Sequence, residues 1–168
     1  MRIRPLRAGE GAKLRELRLR ALRDAPHAFF HSLDTERAVP AEEWERWADD
    51  PEHDRIMFVA VDGDSKDGEW LGMAGCSLRG DSAGTLDATG MWVTPGARGR
   101  NIGERLIEAI VAWGRGRGAH VMEFAVTETN DVAIALYRRM GFAPTGRRRA
   151  LASDPRLVGM FMAKGLDR

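Results

Sequence analysis

Apolar residues recur along this chain with two different periods, and the switches between them mark out its elements. Leu14, Leu17, Ala21, Leu22 and Ala25 return at helical spacing, which predicts a helix from about Gly9 to Asp24, stopped by Pro26. Glu16 and Arg20 lie four apart on its polar side, a spacing that supports a helix modestly. Ahead of it, Arg2–Leu6 reads as a short strand, and after it His27–His31 is aromatic and irregular. A second helix is expected after Pro40, where Glu42 and Glu43 favour the N-terminal end of the dipole.

The next segments are strand-like. Arg55–Val61 and Trp70–Leu78 are apolar runs joined by the turn-rich segment Asp62–Gly68, and a third β segment covers about Thr85–Val93. Pro95 and Gly96 break it. A helix is predicted from about Asn101 to Arg115, with Ile102, Leu106, Ala109, Ile110 and Trp113 on one face and Gly116 and Gly118 at its end. Val121–Val126 reads as a strand and Asp131–Met140 as a helix, with Gly141 suited to the residue after its cap. In that helix Ala133, Leu136, Tyr137 and Met140 share the expected inner face. Ala143–Arg149 and Leu157–Ala163 form a closing hairpin. The order β-α-α-β-β-β-α-β-α-β-β predicts an α/β (α+β) domain over residues 1–168, with one mixed central sheet flanked by helices.

Composition narrows the functional classes. With 168 residues, 43% hydrophobic and 30% charged, the chain has the make-up of a soluble globular protein. Its formal net charge of +1 gives no reason to expect a nucleic acid or an anionic membrane as partner. No apolar run approaches the roughly 20 residues of a membrane span, and Met1–Leu6 is short, basic and interrupted by proline, unlike a signal peptide. Cys76 is the single cysteine, so no intramolecular disulfide is possible and a reducing cytoplasm is the expected compartment. Within an apolar strand it is expected to be a buried packing residue. Four scattered histidines and one cysteine make no metal-ligand spacing.

The candidate chemistry lies between the third strand-like run and the helix after it, in Met91-Trp92-Val93-Thr94-Pro95-Gly96-Ala97-Arg98-Gly99-Arg100-Asn101-Ile102-Gly103. The first amides of a helix have no intrahelical acceptor and the dipole leaves positive charge there, so a strand–turn–helix of this kind suits a pyrophosphate. Gly99 and Gly103 allow close backbone approach, while Arg98 and Arg100 add charge; the same glycines would also serve a tight β–α connection. Neither the Gly-x-x-x-x-Gly-Lys-Ser/Thr loop of nucleotide hydrolases nor the Gly-x-Gly-x-x-Gly turn of dinucleotide folds is present.

Arg98-Gly99-Arg100-Asn101-Ile102-Gly103 resembles the Arg/Gln-x-x-Gly-x-Gly/Ala signature of the GNAT N-acetyltransferase superfamily, departing from it at Asn101, where the family has glycine. Asparagine tolerates left-handed backbone better than most side chains. A second block, Asn130-Asp-Val-Ala133-Ile-Ala-Leu136-Tyr137-Arg-Arg-Met140-Gly141-Phe142, is similar to the family's Asn-x-x-Ala-x-x-Leu-Tyr-x-x-x-Gly-Phe segment. The resemblance spans about Arg2–Lys164 and is strongest over Met91–Phe142.

The resemblance implies acetyl-coenzyme A as cosubstrate, with no metal, and a primary amine of a small molecule as acceptor that attacks the thioester directly. Met91, Trp92 and Val93 would lie along the pantetheine arm, with main-chain groups of Met91 and Val93 bonding it. Arg98, Gly99, Arg100, Asn101, Ile102, Gly103 and Glu104 would hold the pyrophosphate, and Asn130 and Ala133 would contact the cofactor at the next helix. Asn130 is equally suited to be a plain N-cap. Tyr137 would give the leaving thiolate its proton; as a core aromatic it would need only a satisfied hydroxyl. Asp87 or Glu128 would take the proton of the amine, unless both are solvated carboxylates and water does so. The clusters Arg138–Arg139 and Arg147–Arg149 either attract phosphates or form solvated faces. The acceptor would lie near His27, Phe29, Phe30, His31, Trp44 and Trp47, the two tryptophans being spaced as a packing pair. The resemblance also allows a homodimer. It leaves open acetylation of a protein N-terminus or lysine, and a non-catalytic acyl-coenzyme A-binding module.

Overall fold

The computed structural model describes residues 1–50, 54–63, 68–80 and 84–166; residues 64–67 of the expected Asp62–Gly68 turn lie outside the described residues. Within these, seven strands form one sheet: β1 (Arg2–Pro5), β2 (Arg55–Val61), β3 (Trp70–Leu78), β4 (Thr85–Val93), β5 (Val121–Thr127), β6 (Ala143–Ala150) and β7 (Val158–Gly165). Their order across the sheet is β1-β2-β3-β4-β5-β7-β6. The α-helices are α1 (Gly11–Asp24), α2 (Leu33–Arg37), α3 (Ala41–Ala48), α4 (Ile102–Arg115) and α5 (Asp131–Arg139). Among the described residues, no helix is long and apolar enough to cross a membrane.

Strand alternation divides the core between the two faces of the sheet. In β2, Phe58 and Ala60 join the cluster containing Leu106, Ile110 and Tyr137, whereas Met57, Val59 and Val61 join the one containing Leu14, Leu17 and Trp44. Helices α4 and α5 therefore cover one face, and α1 to α3 the other. Contact on the first face is close. A Cβ on Gly114 of α4 would come within 2.1 Å of Leu86 Cδ1 on β4, so only glycine fits where helix and sheet meet.

Neighbours from β1 to β4 are antiparallel, β4 and β5 are parallel, and β5-β7-β6 is antiparallel again. Parallel neighbours cannot be joined by a hairpin, and α4 supplies the required crossover. Cys76 is fully buried in β3, where burial pushes its thiol up to about 12.

Several local expectations change. Helix α1 starts at Gly11 rather than Gly9, because Gly9 has φ +82° and the Glu10 carboxylate folds back onto Arg4 and the Arg7 amide. Arg20 turns toward Thr94 Oγ1 at 3.4 Å and over the ring of Trp92, where the spacing suggested Glu16 as its neighbour. The short helix α2 was not expected; Ser32 Oγ caps it by accepting from the Thr35 amide at 3.2 Å. The inner face of α5 is centred on Ile134 and Tyr137, its buried residues, with Ala133, Leu136 and Met140 only partly covered.

Candidate active site

The site begins where two strands part. β4 and β5 pair only over Thr85–Ala88 and Val121–Phe124. Beyond that, β4 stays on β3 as far as Val93 and β5 stays on β7 as far as Thr127, so each keeps its outer partner while losing the other. A bulge in β4 lies at the parting. Thr89 faces Gly75 and Trp92 faces Met73, which leaves Gly90 and Met91 together opposite Ala74. Gly90 takes φ +68°, a left-handed conformation that costs glycine nothing and a branched side chain a great deal.

A cavity of about 140 Å³ fills the gap. Residues 88–91 and 124–126 of the two strands line it, Asn130, Ala133 and Tyr137 of α5 close one side, and Arg18 with residues 28–31 closes the other. The Tyr137 ring is 4% exposed and stacks on Phe124 at 4.3 Å and 10°. Its hydroxyl has no hydrogen-bond partner among the described residues, and burial raises its pKa above the ordinary phenol range. A protonated, unengaged O–H thus faces the place where the strands part. Asn130 is the N-cap of α5, its Oδ1 accepting from the Ala133 amide at 3.2 Å, and it also lines the cavity.

Past the end of β4 lies the glycine- and arginine-rich loop that leads into α4. Gly99 has φ +77°, and Asn101, at φ 58° and ψ 20°, is the one non-glycine left-handed residue among those described. Asparagine thus takes a left-handed conformation, the region that favours glycine, at the position where the signature has glycine. No side chain caps α4, and among the described residues the amides from Gly99 to Glu104 find no acceptor. Six such amides at a helix start are an arrangement suited to an anion. Gly103 also lies close to α5: a Cβ there would come within 3.0 Å of Leu136 Cδ2, and that side chain would have to give way.

The side chains of the loop act mostly as struts. Arg98 donates to the Val93 carbonyl at 3.1 Å and to Asp24, which also accepts from the Trp92 indole at 2.9 Å. The Trp92 and Arg98 donors together hold the Asp24 carboxyl below its usual range. The Trp92 ring is consequently buried among α1 residues rather than turned to the cavity. Arg100 lies 3.9 Å from Asp62, and Glu104 accepts from Arg139 at 3.1 Å.

Neither expected base is gathered with Tyr137. Asp87 is paired with Arg79, which also contacts Glu123 at 3.3 Å; Glu123 in turn takes both of its oxygens to Arg147 Nη1 at 2.9 Å. Glu128 accepts from Arg148 at 2.5 Å. Both carboxylates lie outside the cavity lining. Arg147–Arg149 occupy an exposed edge strand, two of them held in these ion pairs. Of the aromatic residues expected near the acceptor, Phe29, Phe30 and His31 line the cavity, Trp44 belongs to the core, and Trp47 lies under Arg55 at 5.0 Å. The His27 carbonyl accepts from Thr127, joining this segment to β5.

Two participants were not singled out from sequence. Phe124 carries the Tyr137 ring, and Arg18 closes the α1 side of the cavity. Both sit on apolar or amphipathic faces where a side chain's partners depend on which strands neighbour one another. The Gly90 bulge was equally silent.

Comparison with known proteins sets this geometry in context. Residues 17–142 match the Acetyltransferase (GNAT) family. Streptothricin acetyltransferase of Streptomyces lavendulae is 38% identical over 104 residues, covering 62% of this chain and 53% of that protein. The L-methionine sulfoximine/L-methionine sulfone acetyltransferase of Pseudomonas aeruginosa is 34% identical over 64 residues, covering 38% and 37%. The chain thus spans about half the length, or less, of these relatives. An acetyltransferase structure from Salmonella typhimurium with acetyl-coenzyme A superposes with a TM-score of 0.76 at 22% identity, over 100% of this chain and 95% of that one, a likeness of fold.

Proposed function

The chain belongs to the acetyltransferase (GNAT) family, and on that footing we propose that it transfers the acetyl group of acetyl-coenzyme A to a primary amine of a small molecule. The observation that carries this reading is the row of amides from Gly99 to Glu104 without an acceptor among the described residues, in the loop that follows β4, the strand that with Tyr137 lines the cavity. The residues present fit the cosubstrate. The amides and the left-handed Gly99 and Asn101 suit a pyrophosphate. The unpaired inner edges of β4, around Met91 and Val93, and of β5 suit an extended amide-bearing arm, much as an added strand does. Asn130 and Ala133 then flank the arm at the start of α5.

The bound thioester supplies the acetyl group; the protein's residues do the rest. The cleft holds the reacting carbonyl beside the amine, so that attack becomes effectively unimolecular. Tyr137, kept protonated by burial, donates to the departing sulfur. The proton of the amine leaves on the α1 side. There His31 lines the cavity with Nδ1 3.4 Å from Glu36 Oε1, and we assign it the role of acceptor, directly or through water. Asp87 and Glu128, paired with Arg79 and Arg148 outside the cavity lining, are given no proton-transfer role in this reading.

The relatives named for streptothricin and for methionine sulfoximine support a small-molecule acceptor. The test is calorimetric titration of purified protein with acetyl-coenzyme A, followed by free-thiol release over a panel of amines and peptide N-termini. Micromolar binding with turnover of small amines supports the proposal. No heat of binding at millimolar cosubstrate would sink it, and turnover confined to peptides would replace the acceptor class.

A further inference from the structure

The cavity is uneven in its polar groups. Asp and Glu are absent from its described lining, and its one fully charged side chain is Arg18 of α1. Arg18 is held at two points. Nη2 donates to Glu36 Oε1 at 2.9 Å, and the guanidinium carbon lies 4.2 Å from the centre of the Phe29 ring. Its side chain retains only 12% exposure, and Nη1 is buried without a hydrogen-bond partner. That nitrogen lies 3.8 Å from where a Cβ on Gly90 would be, beside the bulge at which β4 and β5 part. A buried N–H of a guanidinium left unpaired is costly, and such groups are normally satisfied. A second cation stands nearby: Arg149 lies 4.3 Å from the centre of the Phe30 ring, and Phe30 lines the cavity. Among the described residues Arg149 has no carboxylate partner.

Resting on the acetyl-transfer reading above, we propose that Arg18 selects the acceptor: it is an amine bearing a carboxylate close to the reactive nitrogen, as in an α-amino acid, whose oxygen takes the free Nη1–H. Entering from the α1 side, such a molecule places its carboxylate on Arg18 and its amine toward the thioester position between Gly90 and Tyr137. The amine itself then meets no fixed carboxylate, which leaves it free to lose its proton. A polycationic acceptor finds only positive or neutral groups in this wall.

The experiment uses the full chain saturated with coenzyme A and measures acceptor binding by calorimetry, so that turnover is not required. L-methionine is compared with its decarboxylated counterpart 3-(methylthio)propylamine and with spermidine. The carboxylate should bind about 10- to 100-fold more tightly than the decarboxylated amine, the worth of one charge-assisted hydrogen bond. Arg18→Gln should bring that ratio close to one while leaving coenzyme A affinity unchanged, and Arg18→Lys, which keeps charge without the fork, should restore part of it. Thermal melting of each variant shows whether it is folded; should Arg18→Gln unfold, the wild-type ratio and the lysine variant decide. Equal or tighter binding of the decarboxylated amine or spermidine to wild type overturns the proposal, as does absence of any L-methionine binding. Failure of coenzyme A itself to bind would instead strike the acetyl-transfer reading on which this rests.

Discussion

Replacing Tyr137 by phenylalanine removes a single oxygen, and the surroundings of the ring say what that does. The ring is stacked on Phe124 at 4.3 Å, lies 5.9 Å from Phe142 and is 4% exposed, and all of this contact survives in phenylalanine. The hydroxyl has no partner among the described residues, so no donor or acceptor is stranded by its loss. Stability should therefore be unchanged or slightly higher. A positioned general acid contributes about 10²–10⁴-fold, or roughly 2.7–5.4 kcal/mol at ~1.36 kcal/mol per decade. Initial rates of thiol release at saturating amine should fall by that factor, while the calorimetric Kd for acetyl-coenzyme A stays within about threefold of wild type, since uniform binding is not what is removed. The pH dependence gives a second handle. Burial raises the phenol pKa, so the proton-bearing form persists to higher pH than in a free tyrosine. The wild-type kcat should then show no loss from phenol ionisation below the ordinary value of about 10. A variant rate within twofold of wild type would refute the acid role, and a weaker Kd with unchanged kcat would reduce Tyr137 to a cavity wall.

Three further outcomes are expected. Asn101→Ala should lower stability by about 1 kcal/mol, because alanine takes φ near 58° less readily than asparagine, and should weaken acetyl-coenzyme A binding; Asn101→Gly should preserve both in melting and calorimetry. Cys76, buried with its thiol pushed up to about 12, should react with a disulfide reagent only on unfolding, and Cys76→Ser should leave the pattern of acetyl transfer sequential rather than ping-pong. Burial raises the pKa of Glu10, but the Arg4 hydrogen bonds and the Arg7 amide outweigh it and leave the carboxyl lowered. Its stabilisation is therefore present above the unfolded carboxylate value and lost as pH falls through the folded one. Glu10→Gln should melt below wild type at pH 7, with the gap closing on acidification, and a gap that widens toward low pH would contradict the sign.

Much of this protein was legible along the chain. Periodicity placed all seven strands and four of the helices within a few residues, because half-buried strands and amphipathic helices write their burial into spacing. Arg98–Gly103 and Asn130–Phe142 marked the loop and the helix of the site, because an amide cradle and an N-cap are local devices built by consecutive residues. The tolerance of asparagine for left-handed backbone, on which the departure at Asn101 turned, was likewise a statement about one residue. What escaped was decided between elements distant in sequence. Glu128 is a carboxylate in the expected place, yet whether it faces a cleft or an arginine depends on Arg148 arriving from β6; Asp87 is taken by Arg79, just past the end of the neighbouring β3. The parting of β4 from β5 follows from a bulge at Gly90 and from each strand keeping a different outer partner, and a lone glycine in an apolar run signals neither. Arg18 falls between Leu14 and Leu22 on the inner stripe of its helix, but what it meets there was set by Glu36 of α2 and by Phe29 of the loop before it, which hold it against the cavity. Local devices are set by neighbours in the chain; the polarity of a cavity is set by neighbours in space, and those exist only once the sheet has closed around it.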